Sequence, residues 1–91
     1  MYAIVTSDYF LRRAKKFFKK HPELQARFDR VFDDLKKDPF QSRLELHNLG
    51  GKLKDIWAVS LSYSYRITLT IMITENEILL LDIGSHDEVY R

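Results

Sequence analysis

The chain has no cysteine, and among its 91 residues only three glycines, two prolines and one tryptophan. Without cysteine there is no disulfide framework, no thiolate zinc site and no thiol nucleophile, which fits a reducing compartment. No apolar run nears the roughly 20 residues that span a bilayer. The opening MYAIVTSDYF also lacks the basic start and apolar middle of a secretory leader. A soluble, cytoplasmic protein without membrane contact is expected. Repeats, low-complexity tracts and linkers are missing too, so a single domain over residues 1–91 is expected.

What is present is a core and an uneven charge. Hydrophobic residues make up 45% and aromatics 13%, enough for a packed interior even in so short a chain. The net charge is only +2, but residues 1–20 carry six basic side chains against Asp8, a net of +5. Residues 67–91 carry five acids against Arg91, a net of −4. One end is therefore suited to phosphates or acidic peptides, although a basic helix is also an ordinary solvated face.

The period of the apolar residues changes midway. Tyr2 to Thr6 is a short β-prone run, followed by Ser7 at an N-cap position and Asp8 in a first turn. Phe10, Leu11, Ala14, Phe17 and Phe18 then recur at helical spacing, with Arg12, Arg13, Lys15, Lys16, Lys19 and Lys20 between them. His21-Pro22 ends this helix, since the residue before proline leaves the α region. His21 is expected to be structural. Pro22 suits the first turn of a second helix, with Leu24, Phe28, Val31, Phe32 and Leu35 as its stripe and Asp38-Pro39 as its stop.

Gln41 to Lys54 reads as a loop around Asn48, Gly50 and Gly51. Beyond it the period is two. Trp57, Val59 and Leu61 form one apolar set, Tyr65, Ile67, Leu69, Ile71 and Ile73 a second, and Leu79, Leu81 and Ile83 a third. Turns at Ser62 to Ser64 and at Glu75-Asn76 make these three runs an antiparallel meander. The expected fold is α+β, in the order β-α-α-β-β-β, with a helical hairpin packed on one face of an antiparallel sheet. Strand parity puts Ala58, Ser60, Arg66, Thr68, Thr70 and Asp82 on the other face, a shallow polar platform.

Arg66 interrupts the strand YRITLTIMI and must face solvent or a partner, because an unpaired buried charge is too costly. Its planar fork suits a phosphate, but a pair with Asp82 or Glu77 is the competing reading. The loop LHNLGGKLK offers His47, Lys52 and Lys54, and the ending IGSHDEVYR offers His86 and Tyr90. These residues suit RNA cleavage by the neighbouring 2′-hydroxyl. That reaction needs a base, an acid and cations on the phosphate, and no cofactor. His86 would be acid or base, Arg66 the phosphate clamp, and Tyr90 a stacker or proton donor. His47, Asp82, His86 and Glu88 lack metal-ligand spacing, so no metal is expected.

With this element order, LHNLGGKLKDIWAVSLSYSYRITLTI and DIGSHDEVYR, the sequence resembles the RelE/ParE superfamily of bacterial toxin–antitoxin toxins over nearly its whole length. It is most similar to the histidine-bearing RelE and YafQ branch. The resemblance implies a toxin that cuts mRNA on the ribosome and is inhibited by a cognate antitoxin. It assigns Arg66, His47, His86 and Tyr90 to catalysis. With the basic composition, it makes Lys52, Lys54, Arg12, Arg13 and Lys16 candidates for RNA contact. Trp57 and Val59 stand where RelE enzymes carry strand lysines, and Ser60 and Ser64 where YafQ enzymes carry a second histidine and an aspartate. The ParE branch inhibits DNA gyrase instead and cuts nothing.

Overall fold

The Ser7 side chain starts the first helix, its Oγ accepting the Phe10 N–H at 3.1 Å. In a computed structural model describing residues 1–90, this helix is α1 (Asp8–Lys20), preceded by the short strand β1 (Ala3–Val5). Asp8 in its first turn and Lys19 and Lys20 in its last complement the helix dipole. Pro22 opens a 3₁₀ turn before α2 (Gln25–Lys37) begins. Phe18 and Phe28 meet across the connection, ring centroids 5.1 Å apart.

Four more strands complete the sheet: β2 (His47–Asn48), β3 (Trp57–Ser60), β4 (Tyr65–Met72) and β5 (Glu77–Ser85). Their order is β1-β5-β4-β3-β2. The meander is antiparallel as expected, but β1 runs parallel to β5, so the five-stranded sheet is mixed. The helical pair separates β1 from the meander and provides the crossover that a parallel pair requires. A one-turn helix, α3 (His86–Val89), follows β5. The fold is α+β, its core formed by Phe10, Ala14 and Phe17 of α1, Val31 and Leu35 of α2, and the sheet residues facing them.

Two features depart from the alternation read in sequence. The loop 41–54 contains β2, whose His47 lies opposite Ala58. Two residues are too few to show a period. On β5, Ile78, Leu80 and Ile83 are buried, rather than Leu79, Leu81 and Ile83. The register explains this: Leu69 pairs with Leu80 but Thr68 pairs with Asp82, so Leu81 is an extra residue that reverses parity.

The register also aligns the other face in two cross-strand rows. One runs Gly84–Arg66–Ser60, the other Asp82–Thr68–Ala58–His47. Ala58 and Thr68 of the second row, expected on an open platform, are nonetheless buried, at 0% and 3% exposure. The C-terminal segment reaches across this face.

Candidate functional site

Ser85 turns the chain out of β5 and caps α3. Its Oγ accepts the Glu88 N–H at 3.4 Å, and Glu88 Oε1 accepts the Ser85 N–H at 2.9 Å. This reciprocal pair is a capping box, and the Ser-x-x-Glu spacing Ser85 to Glu88 signals it in sequence. Glu88 also explains Gly84: a Cβ there would lie 3.0 Å from Glu88 Oε1 and 3.2 Å from its Cβ. The glycine lets α3 fold tightly back on the strand end.

That fold carries Tyr90 to the far side of the platform. Its hydroxyl lies 3.0 Å from Nε2 of His47 on β2. From β5 to β2 is three strand spacings, about 14 Å. The other imidazole nitrogen, Nδ1, is 3.0 Å from the Glu45 carbonyl oxygen. A carbonyl only accepts, so Nδ1 carries the proton; in the neutral ring Nε2 is then the acceptor and Tyr90 O–H the donor. Glu45 presents this carbonyl from a left-handed conformation with φ 53°.

His86 packs edge-on against Tyr90, the ring centroids 4.1 Å apart and the planes at 76°. Burial raises the Tyr90 pKa above its ordinary value, and the nearby Arg66 charge partly opposes that effect. The phenol therefore keeps its proton at neutral pH. Arg66 itself donates from Nη1 to Ser60 Oγ at 3.2 Å. Neither competing partner holds it. Asp82 turns instead to Arg13 of α1, Nε to Oδ1 2.9 Å, and Glu77 pairs with Met72 at the opposite end of the strand.

The structure thus gathers His47, His86, Tyr90 and Arg66 on one face. Lys52 and Lys54 are exposed beside β2, where Asn48 Nδ2 donates to the Lys54 carbonyl and ties the loop back. The α1 candidates divide. Arg12 and Lys16 are exposed, whereas Arg13 is engaged with Asp82, its charged form stabilised by that bond. Lys16 and Arg13 line a separate cleft of about 350 Å³ between α1 and the end of β5, with Lys20 and Glu88. His21 is sandwiched between Phe17 and Tyr65, each ring 4.7 Å away. Trp57 and Val59 sit opposite Leu69 and Ile67 on the core side, so those positions do not present to the platform at all.

Two participants are not evident from residue type: Ser60, which orients Arg66, and the backbone of Glu45, which sets the His47 tautomer. Among the described residues no three His, Cys, Asp or Glu side chains gather as a metal site would need.

The capping box gives α3 a pH dependence. Hydrogen bonds from the Ser85 backbone and hydroxyl, with Arg13 and Lys20 nearby, lower the Glu88 pKa. A folded-state pKa below the unfolded one stabilises the fold fully above the unfolded value, about 4.3 for glutamate. The contribution is lost as pH falls through the folded value. Acidification into that range is expected to release α3 before the sheet unfolds, and Glu88→Gln to weaken the cap at neutral pH. Amide exchange of residues 86–90 checks both; protection unchanged in the variant would contradict this role for the carboxylate.

No protein-family model matches the chain, and no curated protein matches it. Solved structures do. A metal-bound toxin from Helicobacter pylori is 28% identical, with a TM-score of 0.79, over 99% of this chain and 100% of that one. A chain of the E. coli DinJ-YafQ complex is 13% identical, with a TM-score of 0.79, over 100% of both. A chain of the YoeB-YefM complex from Staphylococcus aureus is 13% identical, with a TM-score of 0.74, over 94% of this chain and 98% of that one. A helical pair on one face of a five-stranded mixed sheet is, in these neighbours, the RelE-like toxin fold. The chain therefore has the RelE-like toxin fold, as its LHNLGGKLK and IGSHDEVYR segments led us to expect.

Proposed function

We propose that the protein is the toxin of a toxin–antitoxin system and acts as a metal-independent endoribonuclease on mRNA, at the ribosome. The observation that carries this reading is the hydrogen-bonded series Glu45 carbonyl–His47–Tyr90, with His86 packed on Tyr90 and Arg66 beside it. Neutral His47 draws on the Tyr90 proton, which leaves the phenol oxygen lone pairs free to take a proton from an RNA 2′-hydroxyl. As that proton moves to Tyr90 O, the Tyr90 proton moves to His47 Nε2, and the 2′-oxygen attacks the adjacent phosphorus. Arg66 stabilises the charge growing on the non-bridging oxygens. The P–O5′ bond breaks, and protonated His86 gives its proton to the leaving oxygen. The products are a 2′,3′-cyclic phosphate and a 5′-hydroxyl.

Two of the neighbouring folds were solved in complexes, DinJ-YafQ and YoeB-YefM, which supports a cognate antitoxin as partner. The surface suits one. β1 is an edge strand, exposed at Ala3 and Val5, and the basic side chains of α1 complement an acidic segment.

The test is to add purified protein to translating ribosomes in EDTA and identify the new RNA ends. Cuts at fixed codon positions with 5′-hydroxyl ends are expected. Growth arrest with altered DNA supercoiling and intact mRNA would reject the nuclease and favour a gyrase-binding toxin.

A further inference from the structure

The chain reaches His47 from α2 through residues 38–46, and side-chain hydrogen bonds tie this segment back to the helix. Gln41 donates from Nε2 to the Asp34 carbonyl at 2.9 Å. Arg43 donates from Nη2 to Asp34 Oδ1 at 2.7 Å and from Nε to Gln41 Oε1 at 3.1 Å. Asp34, Gln41 and Arg43 thus close a ring of hydrogen bonds. Beside it Leu44 is buried in the core. Glu45 comes next, in the left-handed region at φ 53° and ψ 43°, its N–H donating to the Ser42 carbonyl at 3.1 Å. An L residue pays for that conformation through its Cβ, and a non-glycine residue holds it only where the surroundings over-determine it. Here the anchors are the ring and Leu44 on one side and the pairing of His47 with Ala58 on the other. The turn aims the Glu45 carbonyl at His47 Nδ1, 3.0 Å away. That acceptor is backbone, so the path of the chain alone controls it.

We infer that Asp34, Gln41 and Arg43 are positioning residues for His47; their effect on rate rests on the ribonuclease reading. By holding the Glu45 turn they keep the proton of the neutral ring on Nδ1, and so keep Nε2 free to accept from Tyr90. Without the ring, Glu45 relaxes to the right-handed or extended backbone that it prefers, and its carbonyl leaves Nδ1. Either nitrogen can then carry the proton. Where Nε2 carries it, Tyr90 O–H has lost its acceptor. Stability is not what the ring supplies: the Arg43 side chain is 68% exposed, and exposed ion pairs contribute little to the folded state.

Ring-nitrogen NMR of ¹⁵N-histidine-labelled protein reads the tautomer directly. In the parent, His47 is expected in the Nδ1–H form. Arg43→Ala should mix the two forms and lower kcat by up to about 10²-fold, as a misplacement of about 1 Å can, with KM and the thermal melt little changed. Glycine takes a left-handed turn without steric cost. Glu45→Gly added to Arg43→Ala should therefore recover the Nδ1–H form and most of the rate, which it could not do if the ring only held the loop in place. A parent in the Nε2–H form, an unchanged tautomer in Arg43→Ala, or a nuclease whose rate ignores the tautomer would overturn the inference. Because the spectrum needs no cleavage, the two readings fail separately. A tautomer shift in a chain that cuts no RNA refutes the nuclease and leaves the positioning of His47. Codon-fixed cleavage with the parent tautomer kept in Arg43→Ala does the reverse.

Discussion

Replacing His86 with alanine is expected to lower RNA cleavage by about 10²–10⁴-fold, the usual worth of a positioned acid or base, while the protein stays folded. The two effects separate because of where His86 sits. Its side chain is 65% exposed, and its one ion-pair contact among the described residues is with Asp87, Nδ1 3.6 Å from Oδ1. What the fold loses is one edge-to-face contact with Tyr90, worth about 0.5–1.5 kcal/mol. Its backbone remains in a helix held by the Ser85–Glu88 cap, which the substitution does not touch. In single-turnover cleavage of a defined RNA, the variant should bind substrate normally and cut slowly, and an RNA with a 5′-sulfur leaving group, which needs no proton, should be cut near the parent's rate. That substrate is the discriminating readout, because a packing role for His86 would slow cleavage of both RNAs alike. Cleavage within threefold of the parent would remove His86 from the reaction.

How much of this site was legible in the sequence depended on the range of the interactions. Local signals held: Ser7 caps α1, His21-Pro22 ends it, and Asp38-Pro39 stops α2. Arg66 could be placed on the open face because β4 alternates cleanly from Tyr65 to Leu69. β5 could not be read this way, since Ile78, Leu79, Leu80 and Leu81 are all apolar and hide the bulge that exchanges their faces. Asp82 stays on the face of Arg66 but pairs with Arg13, and so does not neutralise Arg66. The parallel pairing of β1 and the His47–Tyr90 bond join residues 43 or more apart, with nothing local to announce them. Ser85 to Glu88 is different: its Ser-x-x-Glu spacing is a local signal of the cap.

Replacing Arg66 with alanine should cost cleavage about 10²–10³-fold, as removal of a preorganised donor to a developing oxyanion does, and lysine should not restore it. Arg66 lies between Ser60 and Gly84 in one cross-strand row, with its Nη1 fixed on the serine hydroxyl. Gly84 adds no side chain on the other side, where α3 folds back on the strand end and brings Tyr90 within reach of the Arg66 charge. An ammonium group has neither the two parallel donors nor the planar contact with Ser60. Stability should fall by only about 1 kcal/mol, the usual worth of one hydrogen bond. A second measurement separates a charge role from a packing role. The Arg66 charge holds down the Tyr90 pKa against burial, so in Arg66→Ala the phenol should titrate higher still, followed by carbon NMR at its ring. Lysine should restore that titration but not the rate. Full activity in the lysine variant would mean that Arg66 supplies charge alone, and that some other group contacts the scissile phosphate.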